Sequence, residues 1–102
     1  MSTTQQSNTE KGTFTLLLFA SAQSYCNNTE SLSLSAPTTL RQLYAELETR
    51  YLGVGEKILR SSQVVINLDY VDCEWDERET KGEEVVIKAG DEVGVVPPVS
   101  AG

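Results

Sequence analysis

One stretch of this chain carries the pattern of a helix that must lie across another layer. Leu40, Leu43, Tyr44, Leu47 and Tyr51 recur at i, i+3, i+4, i+7 and i+11 and form one apolar stripe, while Arg41, Glu46, Glu48 and Arg50 lie largely off it. Thr39, followed three residues later by Gln42, fits a capping box that satisfies the orphan amides of a helix start, and Pro37 breaks the preceding run. Gly53 and Gly55 then predict a helix end through the left-handed conformation that glycine adopts at low cost. The other periodic segments read as strands. Thr13 to Ala20 (TFTLLLFA) loses strict alternation in its middle, which predicts a central strand buried on both faces, and Ser31 to Ser35 (SLSLS) alternates as a half-exposed partner in a hairpin. Gln63 to Val71 (QVVINLDYV) reads as two short strands around a bend at Asn67 to Asp69. Glu84 to Lys88 (EVVIK) and Glu92 to Val96 (EVGVV) flank a turn at Ala89-Gly90-Asp91. A single helix among five strands in the order β-β-α-β-β-β predicts an α+β fold, one sheet with the helix laid across one face.

A layer pair of this kind is what 102 residues can build, and no second domain or internal repeat is visible. Residues 1–12 (MSTTQQSNTEKG) hold no large apolar side chain except Met1 and predict a disordered arm, leaving residues 13–96 as the folded domain. The longest unbroken apolar stretch, Leu16 to Ala20, is too short to cross a bilayer and the arm lacks a basic leader, so a soluble, cytosolic protein is expected. Cys26 and Cys73 are too few for a disulfide scaffold. With no histidine in the chain, no zinc site of the usual Cys/His type can form, so no metal is expected and both thiols read as free. The net charge of -7 argues against nucleic acid and anionic membrane as partners and favours a basic protein surface. Eight of the fifteen acids fall between Asp69 and Glu84 (DYVDCEWDERETKGEE), where residues 72–83 form either a solvated acidic loop or a docking surface.

Catalytic groups are not assembled by the folded part. There is no histidine base, no GxGxxG and no P-loop, the carboxylates cluster without an apolar pocket, and neither cysteine has a partner base. The end of the chain, GDEVGVVPPVSAG, is different. Pro97 and Pro98 fix φ and lack amide donors, so they stop the strand and hold the next residues extended; residues 97–102 then reach about 20 Å from the fold. Val99, Ser100, Ala101 and Gly102 are a narrow probe ending in an unhindered carboxylate, unless they are simply a frayed terminus. A carboxylate is a poor electrophile. A partner enzyme holding ATP can convert it to an acyl-adenylate with release of pyrophosphate, and a sulfur nucleophile can then displace AMP to leave a thiocarboxylate.

LLLFASAQSY in the first strand and loop, TTLRQLYAELETRYLG in the helix, VVINLDYV in the next hairpin and AGDEVGVVPPVSAG at the end resemble the molybdopterin synthase small-subunit family, the MoaD-like sulfur carriers. The similarity runs over nearly the whole chain from Thr13, and the terminal motif is its most specific part. It implies a ubiquitin-like β-grasp fold with a mixed sheet and a terminal glycine, here Gly102, that is adenylated and thiocarboxylated by an E1-like activating enzyme consuming ATP. No stably bound cofactor of the carrier itself is implied. The resemblance further implies that the tail, Pro97 to Gly102, enters the large subunit of the synthase. There the sulfur passes to a precursor pterin to build the dithiolene of molybdopterin, in a heterotetramer centred on a large-subunit dimer. Phe19, Tyr70 and Val96 match family positions at the surface that meets both partners.

Read from the residues alone, Phe19 and Val96 are either core or surface, whereas Tyr70 beside Asp69 suits an exposed position wet on one side. Two features depart from the family pattern. Ala101 stands where a glycine usually precedes the terminal Gly102, and its methyl restricts the backbone and narrows the fit in a tight channel. The acidic segment 72–83 is longer than the usual connection. Carriers for thiamine or tRNA thiolation, ubiquitin-like modifiers and a protein-binding adaptor that never carries sulfur are the rival functions.

Overall fold

The predicted capping box and stripe are realised in helix α2 (Leu40–Arg50). The Thr39 hydroxyl accepts the Gln42 amide at 3.2 Å and the Gln42 side chain accepts the Thr39 amide at 3.3 Å, so two orphan donors are satisfied reciprocally. Leu40, Leu43, Tyr44 and Leu47 are buried, and Tyr51 at the helix end is partly buried against the same core. Each fully buried Leu contributes about 2 kcal/mol through apolar area removed from water.

This computed structural model describes residues 12–71 and 85–98. In chain order the elements are β1 (Gly12–Leu18), α1 (Ala20–Tyr25), β2 (Ser31–Ala36), β3 (Thr38–Thr39), α2, α3 (Val54–Lys57), a 3-10 turn (Leu59–Ser61), β4 (Gln63–Ile66), β5 (Asp69–Val71), β6 (Val86–Ile87) and β7 (Glu92–Val96). Five strands form one mixed sheet in the order β2-β1-β7-β4-β5. β1 pairs antiparallel with β2 and parallel with β7, while β4 is antiparallel to both β7 and β5. The first and last strands of the described residues are therefore side by side at the centre. Phe14, Leu16 and Leu18 of β1, Val64 of β4, and Val93 and Val95 of β7 point inward and share one core with the buried residues of α2. This is the expected β-grasp arrangement, with one main helix across one face of the sheet.

Several details differ from the sequence reading. β1 is buried on one face only, because Thr13, Thr15, Leu17 and Phe19 alternate outward from Phe14, Leu16 and Leu18. The polar stretch after it is not a loop throughout: Ala20 to Tyr25 form the short helix α1, docked by the fully buried Ala22. Gly53 is left-handed as predicted (φ 89°), but it opens α3, and Gly55 lies buried inside that helix. Glu48 holds this junction, accepting the amides of Gly53 at 2.7 Å and Gly55 at 2.9 Å. The segment read as EVVIK shortens to Val86–Ile87 and pairs with Thr38–Thr39 in a separate two-stranded ladder. Of the arm assigned to residues 1–12, all but Gly12 lie outside the described residues, as do the acidic segment 72–83, Cys73 and residues 99–102 of the tail.

Candidate functional site

The face of the sheet opposite α2 carries the side chains that β1, β7, β4 and β5 do not send to the core. Pairing places Leu17 beside Gly94, Gly94 beside Val65, and Val65 beside Tyr70, so these four residues form a row across the four strands. Phe19 follows Leu17 by two and Val96 follows Gly94 by two, which puts both on this same outer face at the end of the sheet where β7 finishes. The Phe19 amide donates to the Val95 carbonyl at 3.3 Å and continues the β1–β7 pairing past the end of β1.

The three surface residues implied by the family resemblance are thus placed on one face. Phe19 is 45% exposed and Tyr70 is 73% exposed, an unusual allotment for aromatic side chains in a small domain. Val96 is half-buried beside the tail exit. Neither Phe19 nor Val96 belongs to the core, which decides the question the residues had left open. Leu17, Val65 and Gly94 complete the face and were not singled out in the sequence. The strict alternation of Thr13, Thr15, Leu17 and Phe19 was the signal that marks the outward side of β1, and the triple Leu obscured it.

The tail begins at this face. β7 ends at Val96, Pro97 is buried, and Pro98 is already exposed, so the fold anchors the first proline and releases the second. The missing amides of both prolines prevent a further strand from extending the ladder there.

Cys26 is a free thiol with no exposed surface, and burial pushes its pKa up, which disfavours the reactive thiolate. At the opposite end of β7, Asp91 is a structural anion. Hydrogen bonds from the Lys88 amide and from the Asn67 side chain, with the nearby Lys88 charge as a smaller effect, hold its carboxyl below the usual range. Among the described residues, no group of three or more His, Cys, Asp or Glu side chains is gathered to hold a metal ion. No helix in the described residues is long and apolar enough to cross a membrane. The arrangement as a whole presents an apolar outer face with a two-proline exit at its edge.

A family model described as the ThiS family matches residues 16–102. A molybdopterin synthase sulfur carrier subunit of Pyrenophora tritici-repentis is 43% identical over 91 residues, covering 89% of this chain and 91% of that protein. The protein of the same name from Emericella nidulans is 43% identical over 91 residues, covering 88% of this chain and 98% of its own length. Among solved structures, the small archaeal modifier protein 1 of Methanosarcina acetivorans aligns with a TM-score of 0.66 over 90% of this chain and 98% of that one, at 24% identity. The corresponding Haloferax volcanii protein aligns with a TM-score of 0.67 over 89% of this chain and all of the other, at 17% identity. At these identities the structural neighbours establish the ubiquitin-like fold alone.

Proposed function

Since the chain belongs to the ThiS family and its relatives are molybdopterin synthase sulfur carrier subunits, we propose that it carries sulfur to the large subunit of that synthase. The observation that carries this reading is the sequence match to those subunits over nearly the whole chain, with the family model running through Gly102. The geometry supports it: an apolar outer face and a stiffened exit give a partner something to grip and something to thread.

In this account the Gly102 carboxylate attacks the α-phosphate of ATP held by an E1-like activating enzyme, forming a glycyl adenylate and releasing pyrophosphate. A sulfur nucleophile then attacks the carbonyl carbon, AMP leaves, and a thiocarboxylate remains. ATP is consumed on the partner and is not a resident cofactor. The thiocarboxylated tail, Pro97 through Gly102, enters the large subunit, where its sulfur passes to the precursor pterin and a water oxygen restores the carboxylate. Phe19, Tyr70 and Val96 meet the partners, and the working assembly is a cytosolic heterotetramer with two large subunits at its centre. The carrier contributes no general base or nucleophilic side chain; its chemistry is carried by a main-chain carboxylate.

Deletion of Gly102 tests this. The shortened chain should unfold at the parent's denaturant midpoint, because glycine has no side chain to bury, and should yield no molybdopterin in a reaction reconstituted with activating enzyme, ATP, sulfur source and large subunit. Product formed at the parent's rate would refute the sulfur-carrier reading.

A further inference from the structure

Gly94 sits at the centre of the outer-face row, between Leu17 and Val65, yet it is buried. Its φ is not positive, so the backbone there would accept any residue, and a β-branched side chain would suit a central strand better than glycine does. Backbone geometry therefore does not explain the glycine. What covers it does: a Cβ built at position 94 would stand 3.2 Å from Cε2 and 4.0 Å from Cδ2 of Phe19. The Phe19 ring rests on the bare backbone of β7, and it is still 45% exposed on its other side.

We infer that Gly94 is a positioning residue for partner docking: its missing side chain is the seat that fixes where the exposed Phe19 ring is presented. A strand interior without a side chain commonly marks a place where another group approaches closely, and here that group is the docking aromatic itself. The ring's place is set by contact with main chain, which cannot change rotamer, so the aromatic is preorganised before the partner arrives. This inference rests on the reading that Phe19 meets the large subunit.

The test is a double-mutant cycle read by calorimetric binding of the large subunit, with denaturant unfolding run alongside. Gly94→Val should leave the unfolding midpoint close to the parent's, since the gain in strand preference offsets part of the lost ring contact. It should weaken binding by about tenfold or more, because the ring is pushed off its seat. Gly94→Ala, whose methyl needs only a few tenths of an ångström of room, should weaken binding by roughly threefold, and it carries the cycle if the valine variant fails to fold. In a Phe19→Ala background, itself weakened by about tenfold, either substitution should add less than about twofold, because no ring remains to displace. Full additivity in that background, or parent-like binding by Gly94→Val, overturns the inference while leaving the docking face intact. Parent-like binding by Phe19→Ala overturns the docking reading of Phe19 and this inference with it.

Discussion

Asn67→Ala should destabilise the fold far more than an exposed turn substitution ordinarily does. Asn67 and Leu68 are the two central residues of the β4–β5 hairpin, both left-handed at φ 51° and 75°. The Asn67 side chain ties this turn to the start of β7. Its Oδ1 accepts the Glu92 amide at 2.9 Å, and its Nδ2 donates to Asp91 Oδ1 at 2.9 Å. Asp91 Oδ2 in turn accepts the Lys88 amide at 2.8 Å. Removing the side chain loses two hydrogen bonds at about 1 kcal/mol each for partly solvated groups. Placing alanine in the left-handed region costs about 1 kcal/mol more. The expected loss is about 2–3 kcal/mol, a large share of the roughly 5–15 kcal/mol that small domains possess. Urea unfolding, fitted as two-state with unchanged slope, measures it.

The effect should also depend on pH. Asp91 has a folded pKa below its ordinary value, so its contribution is present above the unfolded pKa and is lost as pH falls through the folded one. Asn67 is one cause of that depression, so the gap between Asn67→Ala and parent should narrow in acid below the carboxylate range. A loss under about 0.5 kcal/mol at neutral pH, the size of an ordinary surface substitution, would refute the clasp. So would a gap that stays constant as Asp91 is protonated.

Tyr70→Ala should shift stability by no more than about 0.5 kcal/mol, because the side chain is 73% exposed, and should weaken large-subunit binding by roughly tenfold in calorimetry. Replacing Cys26 and Cys73 together by Ala should leave the sulfur-transfer rate unchanged, at about 1 kcal/mol of stability lost in the core around Cys26; loss of transfer in a folded variant would move the chemistry onto a thiol. Ala101→Gly should leave the unfolding midpoint in place and give activation rates equal to or above the parent's with partners from the same organism. A slower variant would show that the alanine methyl makes a contact the reaction uses.

Local chemistry with short-range causes was legible in the sequence. The capping box, the stripe of α2, the bend read at Asn67 to Asp69, which the fold narrows to Asn67 and Leu68, and the Pro97 strand stop all depend on residues a few positions apart. What was not legible depended on the far side of the chain. Helix α1 is only six residues and buries one alanine, too short for periodicity to reveal it. Val86 and Ile87 look like sheet residues, but only their pairing with Thr38 and Thr39 shows that they stand outside the main sheet. Phe19 closes an apolar run and reads as either core or surface; the alternation of β1 in the fold, with Phe14, Leu16 and Leu18 inward, is what sets it on the outer face. The tail motif was legible by resemblance, whereas the face it leaves from required the fold.

Whether Gly102 carries the sulfur can be read by intact-mass spectrometry of the whole chain. The chain is incubated with its activating enzyme, ATP and a sulfur source, and fragment ions then locate any change. The expected result is a gain equal to the mass of one sulfur less one oxygen, confined to the fragment containing Gly102 and reversed when the large subunit and precursor pterin are added. An unchanged mass with active partners, or a sulfur found on Cys26 or Cys73 instead, would contradict it.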